Sequence, residues 1–187
     1  HAGYTTNEIQ IGIDVAASGF YTLGAYSLKH CDKGPQTTAD MIAWYEKLIN
    51  TYPIIFIEDG LAEDDWDGFK KMFGLFGSKI KIVGDDLTVT NTKRIQQAID
   101  VGAINSVLIK LNQIGTLTET VQAVEMTKKQ GWAPFVSHRS GETTDTFIAD
   151  LAVGLSCDYI KSGSLTRGER VCKYDRLMEI EDEISGK

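Results

Sequence analysis

The chain has 187 residues, 42% of them hydrophobic and 24% charged, with 18 Gly and 3 Pro. Such proportions belong to a folded globular domain and exclude a disordered, collagen-like or low-complexity chain. The 19 basic residues against 26 acidic ones give a net charge of −7 with no Lys/Arg-rich block, which argues against nucleic acid or an anionic membrane surface as partner.

Cys31, Cys157 and Cys172 are widely spaced and form no CxxC pair. Neither a disulfide framework nor a structural zinc site is expected, and a cytoplasmic, reducing compartment fits best. The longest apolar runs, such as residues 54–57, are too short to insert in a bilayer. The start, His1-Ala2-Gly3-Tyr4, has no signal-peptide pattern and no initiator Met, as expected of a piece of something longer.

Six short aliphatic runs recur, at 9–14, 54–58, 80–84, 106–111, 134–137 and 158–161. Each is strand-length and apolar along most positions, as expected of parallel strands covered on both faces. Helical stripes follow them. Thr37 and Thr38 precede Met41, Ile42, Tyr45, Leu48 and Ile49; the next stripe is Trp66, Phe69, Met72, Phe73 and Phe76. Asn91-Thr92 opens a helix with Gly102 just past its end, and 116–130 repeats the plan before Gly131. Phe147, Ile148, Leu151 and Leu155 make a fifth stripe; Val171, Tyr174, Leu177 and Ile180 make a sixth. Polar caps before and glycine after are the signals of helix ends.

The reading is an α/β chain of roughly six βα units with parallel strands and right-handed crossovers. An open doubly wound sheet and a (β/α)8 TIM-type barrel both fit this order. No glycine-rich dinucleotide fingerprint follows the first strand, which weakens the open sheet. A barrel needs eight strands and about 250 residues, so six units would make only a partial one.

In either architecture, reactive groups gather at the C-terminal ends of the strands. Those ends read Asp14, Glu58-Asp59, Asp85-Asp86, Lys110, His138-Arg139-Ser140 and Lys161-Ser162-Gly163. One acid after a strand commonly caps the next helix; acids after three consecutive strands call for a cation. Oxygen donors without thiolates favour Mg²⁺ over softer metals. Lys110 lies in the otherwise apolar Val107-Leu108-Ile109-Lys110-Leu111, where partial burial and a nearby cation are the conditions for a general base. The segment from Ser137 to Thr143 precedes a helix and has the makings of an anion site. These parts suit removal of a proton α to a carboxylate, with the resulting dianion held by the metal.

The strand-end strings themselves resemble the enolase (phosphopyruvate hydratase) family. The matching segments are Ile11-Gly12-Ile13-Asp14-Val15-Ala16-Ala17-Ser18, Phe56-Ile57-Glu58-Asp59, Ala62-Glu63-Asp64-Asp65-Trp66 and Gly84-Asp85-Asp86-Leu87-Thr88-Val89-Thr90-Asn91. Ile109-Lys110-Leu111-Asn112-Gln113-Ile114-Gly115-Thr116 and residues 136–143 (VSHRSGET) are similar to the family's base segment and signature loop. The resemblance covers nearly the whole chain, in order. It implies a partial barrel and Mg²⁺-dependent dehydration of 2-phosphoglycerate to phosphoenolpyruvate in glycolysis. By the same resemblance Asp14, Glu58 and Asp85 hold the metal, Glu58 and Asp85 also reach the substrate, and Lys110 takes the α-proton. His138 and Lys161 contact the carboxylate region, and Arg139 and Ser140 the phosphate. Asp85 is preferred over Asp86 because side chains alternate along a strand.

The family also carries an N-terminal domain, first barrel segments and glutamates that include the general acid, none of which is in this sequence. The isolated chain is therefore expected to be catalytically incomplete. Gly60 stands where the family has proline, and residues 24–35 depart furthest from the pattern. A homodimer is implied for the full-length protein. Two alternatives are a non-catalytic module that binds plasminogen through surface lysines, with surface display, and another superfamily enzyme acting on a non-phosphorylated acid.

Overall fold

The computed structural model describes residues 3–29 and 34–186. Cys31 and part of the divergent 24–35 stretch lie outside the described residues. The chain divides into two compact units, one of His1–Thr88 with Gln96–Ser106, the other of Val89–Ile95 with Val107–Lys187.

The first unit opens with β1 (Ile11–Asp14), a 3-10 turn at Ala17–Phe20 and a hairpin of β2 (Tyr21–Thr22) and β3 (Ala25–Tyr26). Helix α1 (Thr38–Thr51), β4 (Ile54–Glu58), α2 (Trp66–Phe76) and β5 (Lys81–Gly84) follow. Strands β1, β4 and β5 are neighbours in that order and parallel. The helices begin where the sequence puts polar caps. Thr37 accepts the Asp40 N–H while the Asp40 carboxylate accepts the Thr37 N–H, closing a capping box on α1. Phe69, Met72 and Phe76 of α2 pack inward with Met41, Ile42 and Tyr45 of α1 in the buried core of this unit.

The sequence predicts that every strand is covered on both faces, an expectation that the Tyr159–Lys161 strand of the second unit meets only in part and that β1 does not meet. Its burial pattern is exposed apart from half-buried Ile13, and Ile11 is 42% exposed. Among the described residues of this unit, β1 pairs with β4 alone.

Asp65 is the hub of the β4–α2 loop. Its carboxylate accepts the Gly68 N–H at 2.9 Å, capping α2, and the Thr38 hydroxyl at 2.6 Å. Glycine at 68 leaves room for this cap, because a Cβ there would come within 2.6 Å of Asp65 Oδ2 and push the carboxylate aside. The Asp65→Ala variant is expected to lose about 2 kcal/mol of stability from the cap and the buried-side hydrogen bonds, read as a lowered denaturant midpoint at unchanged m-value.

Helix α3 (Thr92–Val101) and β6 (Ser106–Ile109) run across the division of the chain. The second unit continues with α4 (Leu111–Ile114), α5 (Leu117–Lys129), β7 (Ala133–Ser137), α6 (Phe147–Gly154), β8 (Tyr159–Lys161) and α7 (Gly168–Ser185). Strands β7 and β8 are parallel, with Ser137 opposite Lys161. The six βα units of the α/β reading are all present.

Two expectations for this unit need correction. The strand predicted over 106–111 ends at Ile109, and Lys110 is the N-terminal residue before α4. The apolar stripe predicted for α7 is only partly its buried face: Arg170, Lys173 and Ile180 are buried, while Val171, Tyr174 and Leu177 are half-covered. Two cations inside a helix face need acceptors close by, and they find them in the loop after β7.

Candidate active site

The acidic residues belong to the first unit. Asp14 is the register partner of Glu58, which is in turn the partner of Val83. Register neighbours in a parallel pair share a face, so Asp14 and Glu58 project together. Glu58 is fully buried, Asp85 is 7% exposed, and Asp14 is exposed. The chain bends at Asp85 and turns at Asp86. Strand alternation, the ground for preferring Asp85, therefore does not separate the two acids.

Asp59 joins them. Its Oδ1 accepts the Asp85 N–H at 2.9 Å and its Oδ2 the Asp86 N–H at 2.7 Å. The Asp59 carboxyl is pushed up to about 7, first by burial and then by the charges of Asp85 and Asp86, against the pull of the two N–H bonds. Asp59, Asp85 and Asp86 bring ligand oxygens within 4.8 Å of one another and could hold a metal ion. Asp14 and Glu58 are not in that group. The donors are all carboxylate oxygens, a set that fits a hard divalent cation and gives a soft one nothing to bind.

The basic residues belong to the second unit. Half-buried Lys110 is held at its backbone: its N–H donates to Thr90 Oγ1 at 2.9 Å, and the Thr90 hydroxyl donates to Gln113 Oε1 at 2.8 Å. Val89 (φ 43°) and Thr90 (φ 56°) are both left-handed, a costly conformation for β-branched residues.

The loop after β7 is fastened at several points. The His138 N–H donates to the Lys161 carbonyl at 2.9 Å, which ties the C-terminal ends of β7 and β8. The Arg139 N–H donates to Glu142 Oε1 at 2.9 Å, and the Arg139 guanidinium reaches Asn112 Oδ1 at 3.3 Å. Arg139 and Ser140 are exposed; His138 and Lys161 are half-buried. From α7, Arg170 Nη1 donates to His138 Nδ1 and to the Arg139 carbonyl at 2.9 Å, and its Nη2 donates to the Ser140 carbonyl at 2.9 Å. Lys173, 1% exposed, donates to the Thr143 carbonyl at 2.5 Å and pairs with Glu142 at 3.0 Å.

The electrostatics follow from this packing. Burial and the charges of Arg170, Lys161 and Lys110 lower the His138 pKa, with Glu142 opposing them. Burial alone would raise the Glu142 carboxyl, but the Arg139 N–H and Lys173 hold it below its ordinary value. A neutral imidazole among cations can donate one hydrogen bond to an anion without adding a charge.

Sequence reasoning assigned no role to Asp59, Thr90, Glu142, Arg170 or Lys173. The Glu58-Asp59 doublet is a local signal for the first. Arg170 and Lys173 have none, because a cation on a helix face reads as solvated until the loop that covers it is known.

The chain matches the family model described as enolase, C-terminal TIM barrel domain, over residues 1–187. It is 53% identical over 184 residues to Enolase 1 of Methylococcus capsulatus (strain ATCC 33009 / NCIMB 11132 / Bath), an alignment covering 98% of this chain and 44% of that protein. The chain thus spans less than half the length of this curated relative. The parallel βα order and the full-length match lead to one conclusion: the chain belongs to the enolase C-terminal TIM barrel domain family.

Proposed function

We propose that these residues form part of an enolase that dehydrates 2-phosphoglycerate to phosphoenolpyruvate in glycolysis. The match to the enolase domain over residues 1–187, which takes in every residue assigned a role, carries this reading. Asp14, Glu58 and Asp85 are the proposed ligands of Mg²⁺, with Glu58 and Asp85 also reaching the substrate. When bound, the ion supplies positive charge that stabilises the carboxylate dianion left by proton removal.

The remaining work falls to side chains. Lys110 Nζ takes the proton from the carbon α to the carboxylate; an N–H bond forms as the C–H bond breaks. Its place is supported by the bond from its own N–H to Thr90. Lys161 offers charge and His138 a ring N–H to the carboxylate region. Arg139 and Ser140, next to each other on the loop braced by Arg170, are the proposed phosphate ligands. A forked guanidinium suits that group well.

No helix among the described residues is long and apolar enough to cross a membrane. A cytoplasmic location and a homodimer are proposed from family membership.

The complete gene product with Mg²⁺ is expected to convert 2-phosphoglycerate to phosphoenolpyruvate, followed by the ultraviolet absorbance of the enol phosphate. The 187-residue chain alone is expected to form none, since no residue assigned here protonates the leaving hydroxyl. Racemisation of a non-phosphorylated acid by the complete product, with no phosphoenolpyruvate formed, would overturn the assignment.

A further inference from the structure

The loop after β7 carries an inference that deepens the proposed function and rests on it for the identity of the ligand. We infer that Arg170 is a positioning residue that fixes the backbone of residues 138–140 and locks His138 as the Nε2–H tautomer. The guanidinium is always protonated and can only donate. Because Nη1 donates to His138 Nδ1, that nitrogen is an acceptor and the single proton of the neutral ring resides on Nε2. The same group donates to the Arg139 and Ser140 carbonyls. One side chain therefore touches three consecutive residues, all of which are proposed to contact the substrate.

The fit around Arg170 is close. The residue is 8% exposed, and Gly163, at φ +85°, lets its stem pass. A Cβ at 163 would lie 2.9 Å from Arg170 Cδ. Arg176, further along the same helix, makes a useful contrast. It pairs with Asp150, Glu179 and Glu183 at the partly exposed surface, where ion pairs contribute little. Arg170 is instead turned into the protein, onto a ring nitrogen and two carbonyls. The charged groups acting on His138 are Arg170, Lys161 and Lys110, with Glu142 as the counterweight.

The test uses the complete gene product with ¹⁵N-labelled histidine. In the wild type, His138 is expected to show an unprotonated Nδ1, a protonated Nε2 and a titration midpoint below the ordinary histidine range. In Arg170→Met the tautomers are expected to mix and the midpoint to rise, because a neighbouring positive charge is gone. Binding of 2-phosphoglycerate is expected to weaken roughly 10- to 100-fold as the loop loses its register. Arg170→Lys restores the charge without the fork, so the midpoint is expected to stay low while binding remains weak.

A protonated Nδ1 in the wild type overturns the inference with no variant needed. So does a folded Arg170→Met protein with unchanged His138 signals. Should the His138 changes occur in a protein that never binds 2-phosphoglycerate, the proposed function falls and the tautomer assignment stands.

Discussion

Lys110→Ala is expected to abolish measurable dehydration by the complete gene product while leaving 2-phosphoglycerate affinity nearly intact. A positioned general base contributes about 10²- to 10⁴-fold, and alanine leaves nothing that can accept the proton at that place. The backbone contacts around residue 110 should survive, because Thr90 binds the residue through its N–H rather than its amine. The discriminating measurement is exchange of the α-proton with deuterated solvent. It needs only the first half of the reaction and should disappear together with turnover. Persistent exchange in the variant would assign the base to another group.

Glu58→Gln has the second large effect, read as the loss of metal-linked stability. The wild-type carboxylate is fully buried and is the register partner of another acid, Asp14. With Mg²⁺ the wild type gains stability by mass action, and the variant should gain almost none, with metal affinity and turnover falling by roughly 100-fold or more. Chelation should bring the wild type down to its metal-free melting point and leave the variant where it was. Equal Mg²⁺ stabilisation of both proteins would remove Glu58 from the ligand set.

Much of this architecture is legible in the sequence for a simple reason. Strands covered by helices must be apolar along their length, so 54–58, 80–84 and 134–137 stand out between amphipathic stripes. The errors arise where the outcome depends on partners outside the segment. Ile11 reads as buried in its own run, yet its exposure depends on what lies beside β1. Lys110 reads as part of a strand because Leu111 continues the apolar run, whereas the chain turns there into α4. The β2–β3 hairpin gives no warning, since Leu23-Gly24 occupies a turn with positive φ at both positions where Asn-Gly is the usual signal.

The candidate site divides in the same way. Acids and bases at strand ends can be read because the order of βα units dictates where loops fall. Asp59, which receives two backbone N–H groups from the next strand's loop, can be read only as half of a doublet. Arg170 reaches back about 30 positions to its acceptors, beyond anything local periodicity can encode.

The left-handed pair at Val89 and Thr90 has an evolutionary corollary. Glycine in place of Val89 would relieve the backbone at that position, and a lineage screened for heat resistance alone would find that exchange attractive. The same exchange would slacken the turn that presents the Thr90 hydroxyl to Lys110. Thermal hardening and a firmly held residue 110 therefore pull this turn toward different amino acids.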